Sequence, residues 1–131
     1  MVIDTSAVIA MLAAEPEDGA MASMISLAVG RQMSAATYLE SAIVVEARYG
    51  VPGGQKLDQL IEAAEVRIEP VTVEQATVAR IAYRKYGKGN HPAAPNFGDC
   101  FAYALAKVSG ESLLFVGADF SQTDIPAAVA S

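Results

Sequence analysis

Four carboxylates stand where an acid can do more than solvate a surface: Asp4, Glu40, Asp99 and Asp119. Asp4 ends an apolar run, Met1-Val2-Ile3, with the unbroken pattern of a strand buried on both faces. Thr5 or Ser6 then offers a hydroxyl N-cap for a helix from Ala7 to Ala14. A carboxylate at the carboxyl end of a central parallel strand sits where open α/β sheets bind ligands, although a turn or cap is an equally simple use for it. Asp119 follows a second continuous apolar run, Leu113 to Val116, after Gly117-Ala118. If the two strands are neighbours, a reversal of strand order between them opens a switch-point crevice, and both acids leave it side by side.

Glu40 falls in a predicted helix from Ala35 to Tyr49 that is apolar on nearly every side. A carboxylate in such a setting costs several kcal/mol unless a cation or donors meet it. Arg48, Arg31 or a metal ion could do so. Asp99 lies in a helix from Phe97 to Ser109, three residues beyond an Asn96 cap, where an acid favours the helix dipole. The main apolar stripe of that helix reads as Phe97, Phe101, Ala104, Leu105 and Val108, which puts Asp99 opposite with only Ala102 and Ala106. Small residues there allow close approach. An oxygen-only set with no supporting Cys/His cluster suits Mg²⁺ or Mn²⁺ rather than zinc. Two such ions ~4 Å apart activate water and stabilise the leaving oxygen in phosphodiester cleavage.

Thr5 and Ser6 could hold a metal-bound water, and Asp124 could assist or cap. Arg80, Arg84 and Lys88 recur at four-residue spacing beside Lys85, as a solvated face or as a phosphate-contacting strip leading to the site. His91 stands alone in a loop, Cys100 reads as a small core residue, and Glu46 as a structural or partner-facing acid.

The elements that must place these groups make one doubly wound α/β domain over residues 1–131. A second helix runs from Pro16 to Val29, Arg31 to Ser34 is a strand, and Val51 to Gly54 is a loop. Lys56 to Glu65 is helical, Val66 to Glu69 alternates as an edge strand, and Thr72 with Gln75 matches a capping box for a helix to Tyr86. Lys88 to Asn96 is loop, and the tail holds a helical turn and a minor strand. Met21, Met24, Ile25, Leu39, Val44, Val45, Tyr49, Leu57 and Ile61 exceed what one face of a small sheet covers, which predicts a partner surface. The net charge of −6 and pI of 4.6 argue against a broad basic nucleic-acid surface and favour a basic partner. No apolar run reaches the ~18 residues of a membrane span. The start lacks a basic segment and carries Asp4 inside what would be a signal core, and a single cysteine fits a reducing, cytoplasmic setting.

Several blocks resemble VapC-type PIN-domain toxins, nearly the whole chain long and in order. They are Asp4 to Ala7, Ser34 to Glu40, Tyr83 to Asn96, the Asn-Phe-Gly-Asp-Cys run at Asn96 to Cys100, and Gly117 to Phe120. The resemblance implies a PIN-like three-layer α/β/α domain with a mostly parallel, roughly five-stranded sheet. It implies a Mg²⁺- or Mn²⁺-dependent endoribonuclease whose acidic quartet falls on Asp4, Glu40, Asp99 and Asp119. It further implies a homodimer silenced by a VapB-like antitoxin, whose C-terminal segment lies in an apolar groove beside the site. Val116 stands where many relatives have Lys, and Ala118 where many have an acid or Asn. Two other readings are a catalytically silent PIN-like binding module and a haloacid-dehalogenase-like phosphatase. The phosphatase needs a second Asp two residues after the first, where this chain has Ser6.

Overall fold

The computed structural model of the chain describes residues 1–13, 30–86, 96–117, 120 and 123–128. The expected helix from Pro16 to Val29, with Met21, Met24 and Ile25, lies outside them. So do Lys88, His91 and the rest of their loop up to Pro95, and Asp119.

Among the described residues four short strands, β1 (Val2–Ile3), β2 (Gln32–Ser34), β3 (Arg67–Glu69) and β4 (Leu113–Leu114), form a parallel sheet in the order β3-β2-β1-β4. The chain steps outward from β1 through β2 to β3, then returns to pair β4 on the other side of β1. That reversal puts a switch point between β1 and β4, as the two apolar runs led one to expect. Asp4 N–H donates to Leu114 O at 3.0 Å, so the acid is still tied to β4 as the strand ends. β3 lies at the sheet edge, as its alternating pattern predicts. Of the expected minor strand in the tail, the described residues show one parallel bridge, between Leu113 and Ala127.

Successive strand residues point to opposite faces, and helices cover both. Ile3 and Leu114 enter one core with Met33, Val45 and Leu57. Val2 and Leu113 enter the other with Ala102, Tyr103, Ala106 and Phe120. The first core belongs to helices α1 (Thr5–Leu12), α2 (Ala35–Tyr49) and α3 (Val51–Ala63), the second to α4 (Val73–Tyr86) and α5 (Phe97–Ser109). The result is an α/β/α sandwich.

Two helix boundaries fall where expected, at Ala35–Tyr49 and Phe97–Ser109. Residues Val51 to Gly54 are not a loop but the first turn of α3. Gly50, with φ of 71°, stops α2, and Pro52 starts the next helix where its missing N–H is no loss. Gly53 lets α3 lie directly on α2: a Cβ there would meet the Val45 carbonyl oxygen at 2.5 Å. Of the capping box at α4, the Thr72 half is present, with Gln75 N–H donating to Thr72 Oγ1 at 3.1 Å, while the Gln75 side chain turns to Pro70 O.

Candidate active site

Asp4 itself caps α1. Its Oδ2 accepts from Ser6 N–H at 3.0 Å and from Ser6 Oγ–H at 2.6 Å. The expectation that Thr5 or Ser6 supplies the cap is therefore corrected, because the carboxylate reaches the free amides first and both hydroxyls are left for other work. Ser6 Oγ accepts from Val116 N–H at 3.0 Å, which binds the chain leaving β4 to the first turn of α1. Thr5 Oγ1 donates to Glu40 Oε1 at 2.7 Å and accepts from Ser41 Oγ–H at 3.2 Å. Sequence reasoning missed Ser41. Its signal lies in the spacing of Thr37, Ser41 and Val45, the three buried residues of α2.

That spacing also corrects the reading of α2 as apolar and covered nearly all round. Leu39 and Ile43 are 59% and 61% exposed, and Glu40 sits half-buried at the border between the two faces. Among the described residues no arginine meets Glu40; the Thr5 hydroxyl does. Arg31 instead approaches Glu65. Asp4 is 3% exposed, and burial above all pushes its carboxyl above the ordinary range. The two Ser6 bonds pull it back, and the negative charge of Glu40 adds to the rise, so these two acids feel one another.

Asp99 occupies the third position of α5 in a reciprocal capping box. Its backbone N–H donates to Asn96 Oδ1 at 3.0 Å, and its Oδ2 accepts from Asn96 N–H at 2.8 Å. The face assigned to it needs correcting. Asp99, Ala102, Tyr103 and Ala106 are buried, whereas Phe97 is 77% exposed and Val108 is exposed too. Leu105 and Ala104 of the expected stripe are buried with them, so the buried face is broader than the stripe and includes Asp99, while Phe97 and Val108 fall outside it. Among the described residues no three acidic, His or Cys side chains converge as a metal cage. The chain's own oxygens nonetheless suit a hard divalent cation: two electrostatically coupled carboxylates at the switch point, neutral hydroxyls around them, and no described cation pairing with Asp4 or Glu40.

Two apolar grooves flank Phe97 and Phe101. One, of about 410 Å³, runs along Leu39, Glu40, Ile43 and Gly98. The other, of about 370 Å³, lies against Ala76, Arg80 and Tyr83. Arg80 and Arg84 are exposed. Within the expected partner surface the structure separates core from exterior. Val45 and Leu57 are fully buried and serve the core, while Leu39 and Tyr49 stay exposed.

Asp124 has both oxygens engaged, by the Tyr103 hydroxyl and the Lys107 ammonium, which clasps the C-terminal segment onto α5. Burial alone would raise its pKa, but the bonds from Lys107 and Tyr103 outweigh that and hold it below 3.8. A carboxyl lowered by folding contributes stability that is present above its ordinary value and lost as pH falls through the folded value. Because the pair is solvent-screened, Asp124→Asn should lower the melting temperature by only roughly 1–3 °C near neutral pH, equivalent to about 0.5 kcal/mol. The loss should shrink as pH falls below the ordinary value of 3.8. Melting curves showing the same loss at neutral and strongly acid pH would refute the clasp.

A family model described as PIN domain matches residues 1–126. The chain is 52% identical to a protein named Ribonuclease VapC from Mycolicibacterium smegmatis, over 97% of this chain and 98% of that one. It is 53% identical to Ribonuclease VapC30 of Mycobacterium tuberculosis, over 95% of each. Among solved structures, the M. tuberculosis toxin VapC20, described as cleaving the sarcin–ricin loop, superposes with a TM-score of 0.79 at 18% identity. That match covers 99% of this chain and 98% of the other. A toxin–antitoxin complex from Klebsiella pneumoniae gives 0.70 at 14% identity, over 94% and 92%. The last two speak for the fold.

Proposed function

The chain belongs to the PIN-domain family, and on that premise we propose that it is an endoribonuclease toxin held silent by a cognate antitoxin. The observation that carries this is that Asp4 ends β1 at the β1/β4 switch point while Glu40 is hydrogen-bonded to the next residue, Thr5, so both carboxylates stand at one end of the sheet with no described cation paired to either. Asp4, Glu40, Asp99 and Asp119 would hold one or two Mg²⁺ or Mn²⁺ ions. A bound ion of this kind supplies Lewis-acid polarisation of the scissile phosphate and makes water a stronger nucleophile. The chain's own share is placement. Asp4 is fixed by Ser6, Glu40 by Thr5, and Asp99 by the Asn96 cap, so each acid presents itself without reorganising. In an acidic protein, local cations must draw the RNA phosphates in, and Arg80, Arg84 and Lys88 serve that purpose in this reading.

Cleavage of RNA by the purified protein with and without Mn²⁺ is the primary test. Cleavage that survives chelation of all divalent ions would refute the metal role, and no cleavage under any condition would leave a silent binding module. Arg80→Ala combined with Arg84→Ala should raise the apparent Michaelis constant and flatten its salt dependence; an unchanged constant makes them a solvated face. The antitoxin in this reading is a small basic protein with an apolar segment, seated on the groove along Leu39, Ile43 and Phe97 next to Glu40. The toxin itself is a homodimer in this reading, which light scattering at micromolar concentration would contradict by showing a monomer.

A further inference from the structure

We infer that Gly98 is a positioning residue for Glu40: the space its missing side chain leaves is the space the Glu40 carboxylate occupies. A Cβ on Gly98 would lie 2.0 Å from Glu40 Oε2, 2.6 Å from Cδ and 2.8 Å from Oε1. No pair of heavy atoms tolerates that approach, so one group must move. On its other side, Glu40 Oε1 is held by the Thr5 hydroxyl at 2.7 Å. The carboxylate is thus bracketed between the first turns of α1 and α5.

Which group yields follows from stiffness. Gly98 belongs to a helical turn locked by the reciprocal Asn96–Asp99 cap, whereas the Glu40 carboxylate is the far end of a flexible side chain. The backbone at Gly98 is not left-handed, and alanine is the better helix former, so a methyl group here is compatible with the fold. Gly53 is the contrasting case, since there a Cβ would strike main chain. A side chain at Gly98 therefore spares the fold and costs the site, by pushing the Glu40 carboxylate off Thr5. The inference rests on the proposed role of Glu40 in the site and adds to it a residue with no functional group of its own.

Four proteins test it: the wild type, Gly98→Ala, Glu40→Asp and the double variant. Gly98→Ala should lower RNA cleavage at least about tenfold, as small misplacements of a reacting group do. It should also shrink the rise in melting temperature produced by Mn²⁺, while the metal-free melting temperature stays equal or increases. In the Glu40→Asp background, whose carboxylate is one methylene shorter and clears the new Cβ, the same substitution should have little further effect. Equal losses in both backgrounds, or a fall in the metal-free melting temperature, would show a merely structural role and overturn the inference. So would a Gly98→Ala protein that cleaves RNA and responds to Mn²⁺ as the wild type does. Should the wild type itself prove inert, the proposed function fails, and crystal structures of wild type and Gly98→Ala still decide this point. A Glu40 carboxylate still bonded to Thr5 in the variant would overturn it.

Discussion

Asp4→Asn and Asp99→Asn should each reduce RNA cleavage by on the order of 10²–10³-fold or more, about 3–4 kcal/mol of transition-state stabilisation. Both amides keep the shape of the acid and an oxygen to accept the existing bonds, from Ser6 in one case and Asn96 in the other. The variants should accordingly fold. Their metal-free stabilities should move in opposite directions. Asp4 is buried and burdened by the charge of Glu40, so removing its charge is neutral or stabilising. Asp99 sits in the first turn of α5, where its charge favours the helix dipole, and its loss should cost about 0.3–1 kcal/mol. Cleavage assays paired with melting curves check both halves. Either variant retaining full cleavage would remove that residue from the proposed site, and a collapse of Asp4→Asn would show that its role is to hold the fold.

Truncating the apolar groove should separate inhibition from catalysis. Leu39→Ala and Phe97→Ala together are expected to weaken antitoxin binding about 100-fold or more, since buried aromatic and aliphatic anchors of an interface commonly contribute 2 kcal/mol or more each. In the free protein the two side chains are 59% and 77% exposed, so removing them should change stability by only about 0.5 kcal/mol each. RNA cleavage should stay within about twofold of wild type, because neither side chain supplies an oxygen to the site. Titration of the antitoxin against cleavage measures both quantities at once. Undiminished inhibition would place the antitoxin elsewhere on the surface.

Apolar runs without alternation identified β1 and β4 as strands covered on both faces, because only a sheet sandwiched between helices lets consecutive residues such as Val2 and Ile3 both be buried. Gly50 and Gly110 punctuate α2 and α5, so their ends were legible. Helix faces were less so. In α5 the period of the larger apolar residues pointed to Phe97, Phe101 and Val108 beside Ala104 and Leu105, yet the buried face takes only Ala104 and Leu105 from that stripe and joins them to Asp99, Ala102, Tyr103 and Ala106. Periodicity says that a helix has two faces; the closeness of its packing decides which one goes inward. The start of α3 was misread as loop for a related reason. Glycine signals both a chain break and a close approach of two backbones, and only the position of Val45 tells which.

By itself the sequence determined the parallel α/β class, the two doubly covered strands β1 and β4, and Asp4 at the end of the first, because these follow from local pattern and strand direction. Only the tertiary structure decided how the acids are held. That Thr5 reaches Glu40, that Ser6 ties Asp4 to the chain beyond β4, and that Gly98 makes room for a carboxylate are contacts between residues 35 or more positions apart. No local pattern encodes such contacts. They exist because β1 and β4 pair and because α2 and α5 converge on the same end of the sheet.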